Sequence, residues 1–86
     1  MDKKYEKQKA KELLILIDQY ESTNQKKEIN DDLYLLASEL YHKNQTKLSQ
    51  AMIDVSLAIL SFTQAAKSGG HFQPLDEFIT DLKMIA

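Results

Sequence analysis

Apolar residues along this chain recur at steps of three and four rather than alternating, which is the spacing of one helical face. Ala10, Leu13, Leu16, Ile17 and Tyr20 form the first such face and predict a helix over about 3–21. Ile29, Leu33, Leu36, Ala37 and Leu40 predict a second over about 25–43, with Ser22 and Gln25 as a candidate capping box and Asn30 as a later alternative start. Leu48, Met52, Val55, Ile59, Phe62 and Ala66 follow a clean alternation of fours and threes, predicting a third helix over about 47–67 behind an N-cap at Thr46. Gly69 suits the left-handed residue that closes this helix. Pro74 suits the first position of a fourth, about 74–85, whose face is Leu75, Phe78, Ile79, Leu82 and Ile85. Both glycines and the single proline lie within residues 69–74, so nothing before them breaks a helix strongly. Links of about three to six residues favour antiparallel neighbours. The expected fold is an all-α, antiparallel up-down-up-down four-helix bundle, with residues 1–86 as one domain.

The third helix carries more apolar surface than one seam needs. At about 100° per residue, Ile53, Leu57 and Leu60 fall nearly opposite the seam, and Asp54 falls with Gln50 and Ser61 on a narrow polar strip. The other helices show only single apolar outliers on their backs, at Ile15, Leu35 and Met84. A helix that is apolar on two sides is covered from both sides or docks something. Two outcomes are therefore open: helix 4 packs on the second stripe, or Ile53, Leu57 and Leu60 form a surface for a partner or a second copy.

Composition narrows the function. The chain has 43% hydrophobic and 28% charged residues, which is the balance of an ordinary globular protein. It has no cysteine, hence neither disulfides nor thiolate metal sites. All eleven basic residues are lysine, so the bidentate forks that clamp phosphates, dicarboxylates and guanine edges are missing. A net charge of −2 also disfavours a nucleic-acid partner. Residues 1–12 set five lysines against three acids and are net +2, while the remainder is net −4. Lys3, Lys4, Lys7 and Lys11 are thus candidates for contact with an anionic membrane surface, although the interleaved acids also fit a plain solvated face. The amino-terminal segment reads as charged helix rather than signal peptide, and no run reaches the ~20 apolar residues of a spanning helix. A cytoplasmic protein is expected.

Candidate chemistry is sparse. His42, near the end of helix 2, and His71, before helix 4, have no second ligand at metal spacing. His42 with Lys43 lacks the mid-helix setting of a phosphotransfer histidine. "DVSLA" places Ser56 in mid-helix rather than at the start where a prosthetic arm needs it, and the absence of arginine removes the clamp of a small helical mutase. No cofactor, metal or catalytic residue is expected, so the chain is read as a non-enzyme that works by binding.

The Lys-rich opening "KKYEKQKAKELLILI", the second helix "LYLLASELYHKN", the long apolar "LSQAMIDVSLAILSF" and the short helix after "HFQPL" together resemble the immunity proteins of pediocin-like bacteriocins, the enterocin A immunity family. The resemblance spans essentially the whole chain and rests on apolar spacing. It implies a cytosolic four-helix bundle that protects a producer cell from its own pore-forming peptide. The implied partner is the membrane part of a sugar phosphotransferase permease with bound bacteriocin. Peptide selectivity in that family is attributed to the carboxy-terminal half, which here holds Ile53, Leu57, Leu60, His71, Phe72 and helix 4. Family members often continue past helix 4 into a tail, whereas this sequence ends at Ala86. The alternative reading is a small helical interaction or regulatory module that dimerises through the same stripe.

Overall fold

Asp2 accepts a hydrogen bond from the Tyr5 N–H at 3.1 Å and closes the start of α1, Lys3–Ser22. The computed structural model describes residues 2–69 and 75–86, and within these α1 is followed by α2, Lys26–Lys43, α3, Gln50–Lys67, and α4, Asp76–Ile85. A short 3-10 turn, Gln45–Lys47, connects α2 to α3. There is no strand among the described residues.

Three local expectations are corrected. Ser22 does not cap α2: its hydroxyl donates back to the carbonyls of Asp18 and Gln19 in the last turn of α1, and Thr23 Oγ1 accepts from the Gln25 N–H instead. Asn30 is not a helix start but lies inside α2, buried. Thr46 is not the cap of α3, because the chain first makes the 3-10 turn and then runs extended at Leu48 (φ −119°, ψ 149°), which puts that leucine in the core. Ser49 is the cap, its Oγ accepting from the Met52 N–H. At the far end of α3 the expectation holds: Ser68 is the C-cap and Gly69 follows with φ +97°, a conformation that costs a residue with a Cβ about 1 kcal/mol. The expected start at Pro74 lies outside the described residues, and the helix they show begins at Asp76, after Leu75.

The bundle topology follows from a few polar ties. The Ser49 N–H donates to Glu6 Oε1 at 2.6 Å and the Asp2 N–H to the Lys47 carbonyl at 3.0 Å, which sets the starts of α1 and α3 side by side. The Leu75 N–H donates to Glu21 Oε1 at 2.9 Å, so α4 begins where α1 ends. Asn30 Nδ2 donates to the Thr63 carbonyl at 3.1 Å, joining the start of α2 to the end of α3. Each neighbouring pair therefore runs antiparallel, giving an up-down-up-down bundle in which α2 and α3 share the most extensive contact.

The core is built by Leu13, Ile17, Leu33, Leu40, Met52, Ile59, Leu75 and Leu82, all fully buried, with Ala10 and Ala37 where helices come close. Phe62 and Phe78 meet edge to face at 5.9 Å and join α3 to α4. Two small polar residues, Ser56 and Thr63, lie fully buried in the middle of the α3 face. Thr63 Oγ1 donates to the Leu60 carbonyl at 2.9 Å, whereas Ser56 Oγ has no hydrogen-bond partner among the described residues. A buried hydroxyl without a partner costs free energy that a methyl group does not. Ser56→Ala is accordingly expected to raise stability by about 0.5–1 kcal/mol, read as a higher urea midpoint at unchanged slope.

No helix among the described residues is long and apolar enough to cross a membrane.

Candidate functional site

The expected docking stripe on α3 is corrected by its own neighbours. Leu60 is covered (4% exposed), Ile53 is half-buried against the core, and Leu57, 40% exposed, is the one of the three that stands open to solvent. The cause lies in the two polar residues between the stripe and the seam. Ser56 and Thr63 are buried, so the seam and the second stripe are the flanks of one wide buried sector covering roughly half of α3. The other two residues of the expected surface, His71 and Phe72, lie outside the described residues. Leu57→Lys is expected to shift the thermal midpoint by less than about 3 °C, because the side chain already borders water and no cavity opens.

A different surface is open in the carboxy-terminal half. Between α3 and α4 lies a groove of about 490 Å³. Val55 and Phe78 line its apolar interior, and Ala51 and Ala58 keep the α3 side low. Met84, 81% exposed, and Ile85 line it from α4. Asp54 from α3 and Asp81 from α4, both exposed, add two negative charges. Asp54 Oδ1 accepts from Gln50 Nε2 at 2.8 Å, so this acid is a solvated, hydrogen-bonded surface carboxylate. The sequence signal for the groove was present in Ala51, Ala58 and the apolar outlier Met84. It was hidden because alanine counts as a core residue when only hydropathy is read.

Lys3, Lys4, Lys7 and Lys11 are all exposed on the first half of α1. His42 is exposed near the end of α2, its ring edge-on to Tyr41 at 5.1 Å. Lys67 lies 3.5 Å from Asp31 and 4.7 Å over the Tyr34 ring, a surface arrangement that contributes little to stability. No group of three or more His, Cys, Asp or Glu side chains that could hold a metal ion occurs among the described residues.

The polar side chains with tertiary roles act on backbone groups. Glu6 and Glu21 each accept a main-chain N–H at the start of another helix, and Asn30 donates to a helix carbonyl. They satisfy groups that helix ends leave open and that would be costly to bury alone. These residues are framework, and the surfaces they leave for recognition are the α3–α4 groove and the lysine face of α1. No family model matches this chain, and no similar curated protein or solved structure is found.

Proposed function

We propose that this chain is a bacteriocin immunity protein that acts from the cytosol by binding, with the α3–α4 groove as its recognition surface. The groove is the observation that carries the reading: an apolar trough flanked by two acids, on the carboxy-terminal half. Such a trough fits one face of an amphipathic helix that bears basic residues beside its apolar stripe. The resemblance noted in the sequence supplies the biological setting, a pore-forming peptide on its phosphotransferase permease, and the same half to which selectivity is attributed. In this reading the protein needs no catalytic group: occupying the receptor–peptide complex is sufficient to hold the lethal opening shut.

Expression in a sensitive cell is expected to protect it against at least one of a panel of pediocin-like peptides. Asp54→Lys combined with Asp81→Lys is expected to reduce that protection about tenfold or more, since like charges now face the basic partner. Both sites are exposed, so the thermal midpoint should move by no more than a few degrees. Absence of protection against every peptide in the panel overturns the immunity reading. Protection that survives the double substitution moves the recognition surface away from the groove.

A further inference from the structure

Of the five acids in residues 2–21, four are engaged elsewhere than with Lys4, Lys7 and Lys11, and the fifth, Asp18, is exposed one turn beyond Ile15 on the same face. Asp2 caps its own helix, Glu6 is buried on the Ser49 N–H, Glu12 pairs with Lys9 at 3.3 Å, and Glu21 is engaged with the Leu75 N–H. Lys4, Lys7 and Lys11 are exposed and have no ion-pair partner among the described residues. With Gln8, Ile15 and Glu12, the last of these paired with Lys9, they line one shallow depression on the outer side of α1. Ile15, 58% exposed, stands at the inner end of this stripe, nearly opposite the residues that α1 buries. The acids interleaved within residues 2–12 are thus engaged elsewhere, and Lys4, Lys7 and Lys11 with one aliphatic side chain leave a net positive stripe that the exposed Asp18 bounds at its carboxy-terminal end.

The whole molecule is polarised in the same sense. The end holding the starts of α1 and α3 and the ends of α2 and α4 also carries Lys3, Lys43, Lys47 and Lys83. The opposite end, where α1 and α3 finish and α2 and α4 begin, sets seven carboxylates in the helix ends against Lys26, Lys27 and Lys67.

We propose that the Lys4–Lys7–Lys11–Ile15 stripe is a docking surface for an anionic lipid bilayer. The helix rests on the headgroups, the three ammonium groups meet acidic lipids and Ile15 enters the interface. A bilayer fits this surface better than a nucleic acid does, because the stripe has no guanidinium and offers an aliphatic contact that a phosphate backbone cannot use. The contact is weak and reversible. Each lysine near an acidic surface changes the partition by about fivefold, which is about 1 kcal/mol at 1.4 kcal/mol per tenfold. This surface shares no residue with the groove of Asp54 and Asp81 and does not depend on what the groove binds.

The test is co-sedimentation of the full chain with vesicles. Binding is expected to vesicles of phosphatidylglycerol and phosphatidylcholine in equal parts at low salt, with loss at about 0.5 M salt where the Debye length falls to a few Å. Vesicles of phosphatidylcholine alone should not bind. Lys4→Gln with Lys11→Gln is expected to weaken the partition about 25-fold, while Lys27→Gln with Lys67→Gln, the same change in net charge, stays within about twofold. Circular dichroism confirms that both variants are folded. Ile15→Ser is expected to weaken binding by the same factor at low and moderate salt. The proposal is overturned by no binding to the acidic vesicles, by equal loss in the two lysine pairs, by an unchanged Ile15→Ser variant, or by a DNA duplex that displaces the protein at the phosphate concentration of the vesicles.

Discussion

Asn30→Asp is expected to lose about 3 kcal/mol or more of folding stability at neutral pH, and to regain much of it as the pH falls toward about 4. The side chain is nearly sealed, 2% exposed, and its Nδ2 donates to the Thr63 carbonyl. The substitution keeps the shape, but it places a carboxylate where a donor is required, facing a carbonyl oxygen in a nearly sealed site. Burial and lone-pair repulsion both favour the protonated carboxyl, so its pKa in the folded state lies above the ordinary aspartate value of about 3.9. For an acid shifted upward, the penalty is fully present above the folded pKa. It fades as the pH falls through that value toward the unfolded one, because the native state then binds the proton more tightly. The protonated carboxyl restores a donor to the Thr63 carbonyl, whereas Asn30→Ala has no such proton and should lose about 1–2 kcal/mol at either pH. Urea midpoints of both variants at neutral and acidic pH, each taken as a difference from the unmodified chain, decide the matter. An Asn30→Asp loss that does not change with pH would mean that water reaches the α2–α3 contact.

Leu82→Ala should lower stability by about 3 kcal/mol, which for a domain of this size is about 12–24 °C in the thermal midpoint. Leu82 is fully buried on a helix of only ten residues. Alone, a helix of that length is unstable in water, so α4 is held by its tertiary anchors. These are Leu75, Phe78 and Leu82 in the core, the Phe62–Phe78 contact and the Glu21 bond to the Leu75 N–H. Removing one anchor weakens α4 first. Native-state hydrogen exchange is therefore expected to show the amides of α4 losing protection below the denaturant concentration that opens α2 and α3. Because α4 supplies Phe78, Asp81, Met84 and Ile85 to the groove, the same variant should lose any protection against bacteriocin. Amides of α4 that exchange only with global unfolding would show instead that the bundle opens as one unit.

Both effects arise at residues whose weight is set by their neighbours. Leu82 was visible in the sequence as part of an apolar stripe, and the stripe alone identified it as core. Asn30 was not visible in this way: read along the chain it looked like a helix start, the usual reason for an asparagine between charged residues. Its role appears only when α3 lies against α2 and brings the Thr63 carbonyl within reach. The antiparallel register that this bond sets places Ala37, seven residues on, at the level of Ser56, seven residues back, so two small buried residues lie at the same level of α2 and α3.

The candidate surfaces divide along the same line. The surplus of aliphatic residues on α3 could be read from the sequence, but not whether it was exposed. Ser56 and Thr63 are polar by chemistry, yet a helical wheel sets them between the seam and the second stripe, and in the bundle they are buried together with Leu60. The lysine stripe was readable as composition, but whether it was neutralised depended on where Glu6 and Glu12 point.

The order of polar and apolar residues by itself determined four helices, close approximations to their limits, the glycine that ends α3 and nearly every residue of the core. These follow from local backbone preference and from the period of 3.6 residues, which each segment expresses without reference to the others. Only the tertiary structure decided which polar side chains became framework, which aliphatic residues stayed in water and where a groove opened. Those outcomes depend on distances between residues far apart in the chain, such as Glu6 and Ser49 or Asn30 and Thr63, and no local pattern encodes such a distance.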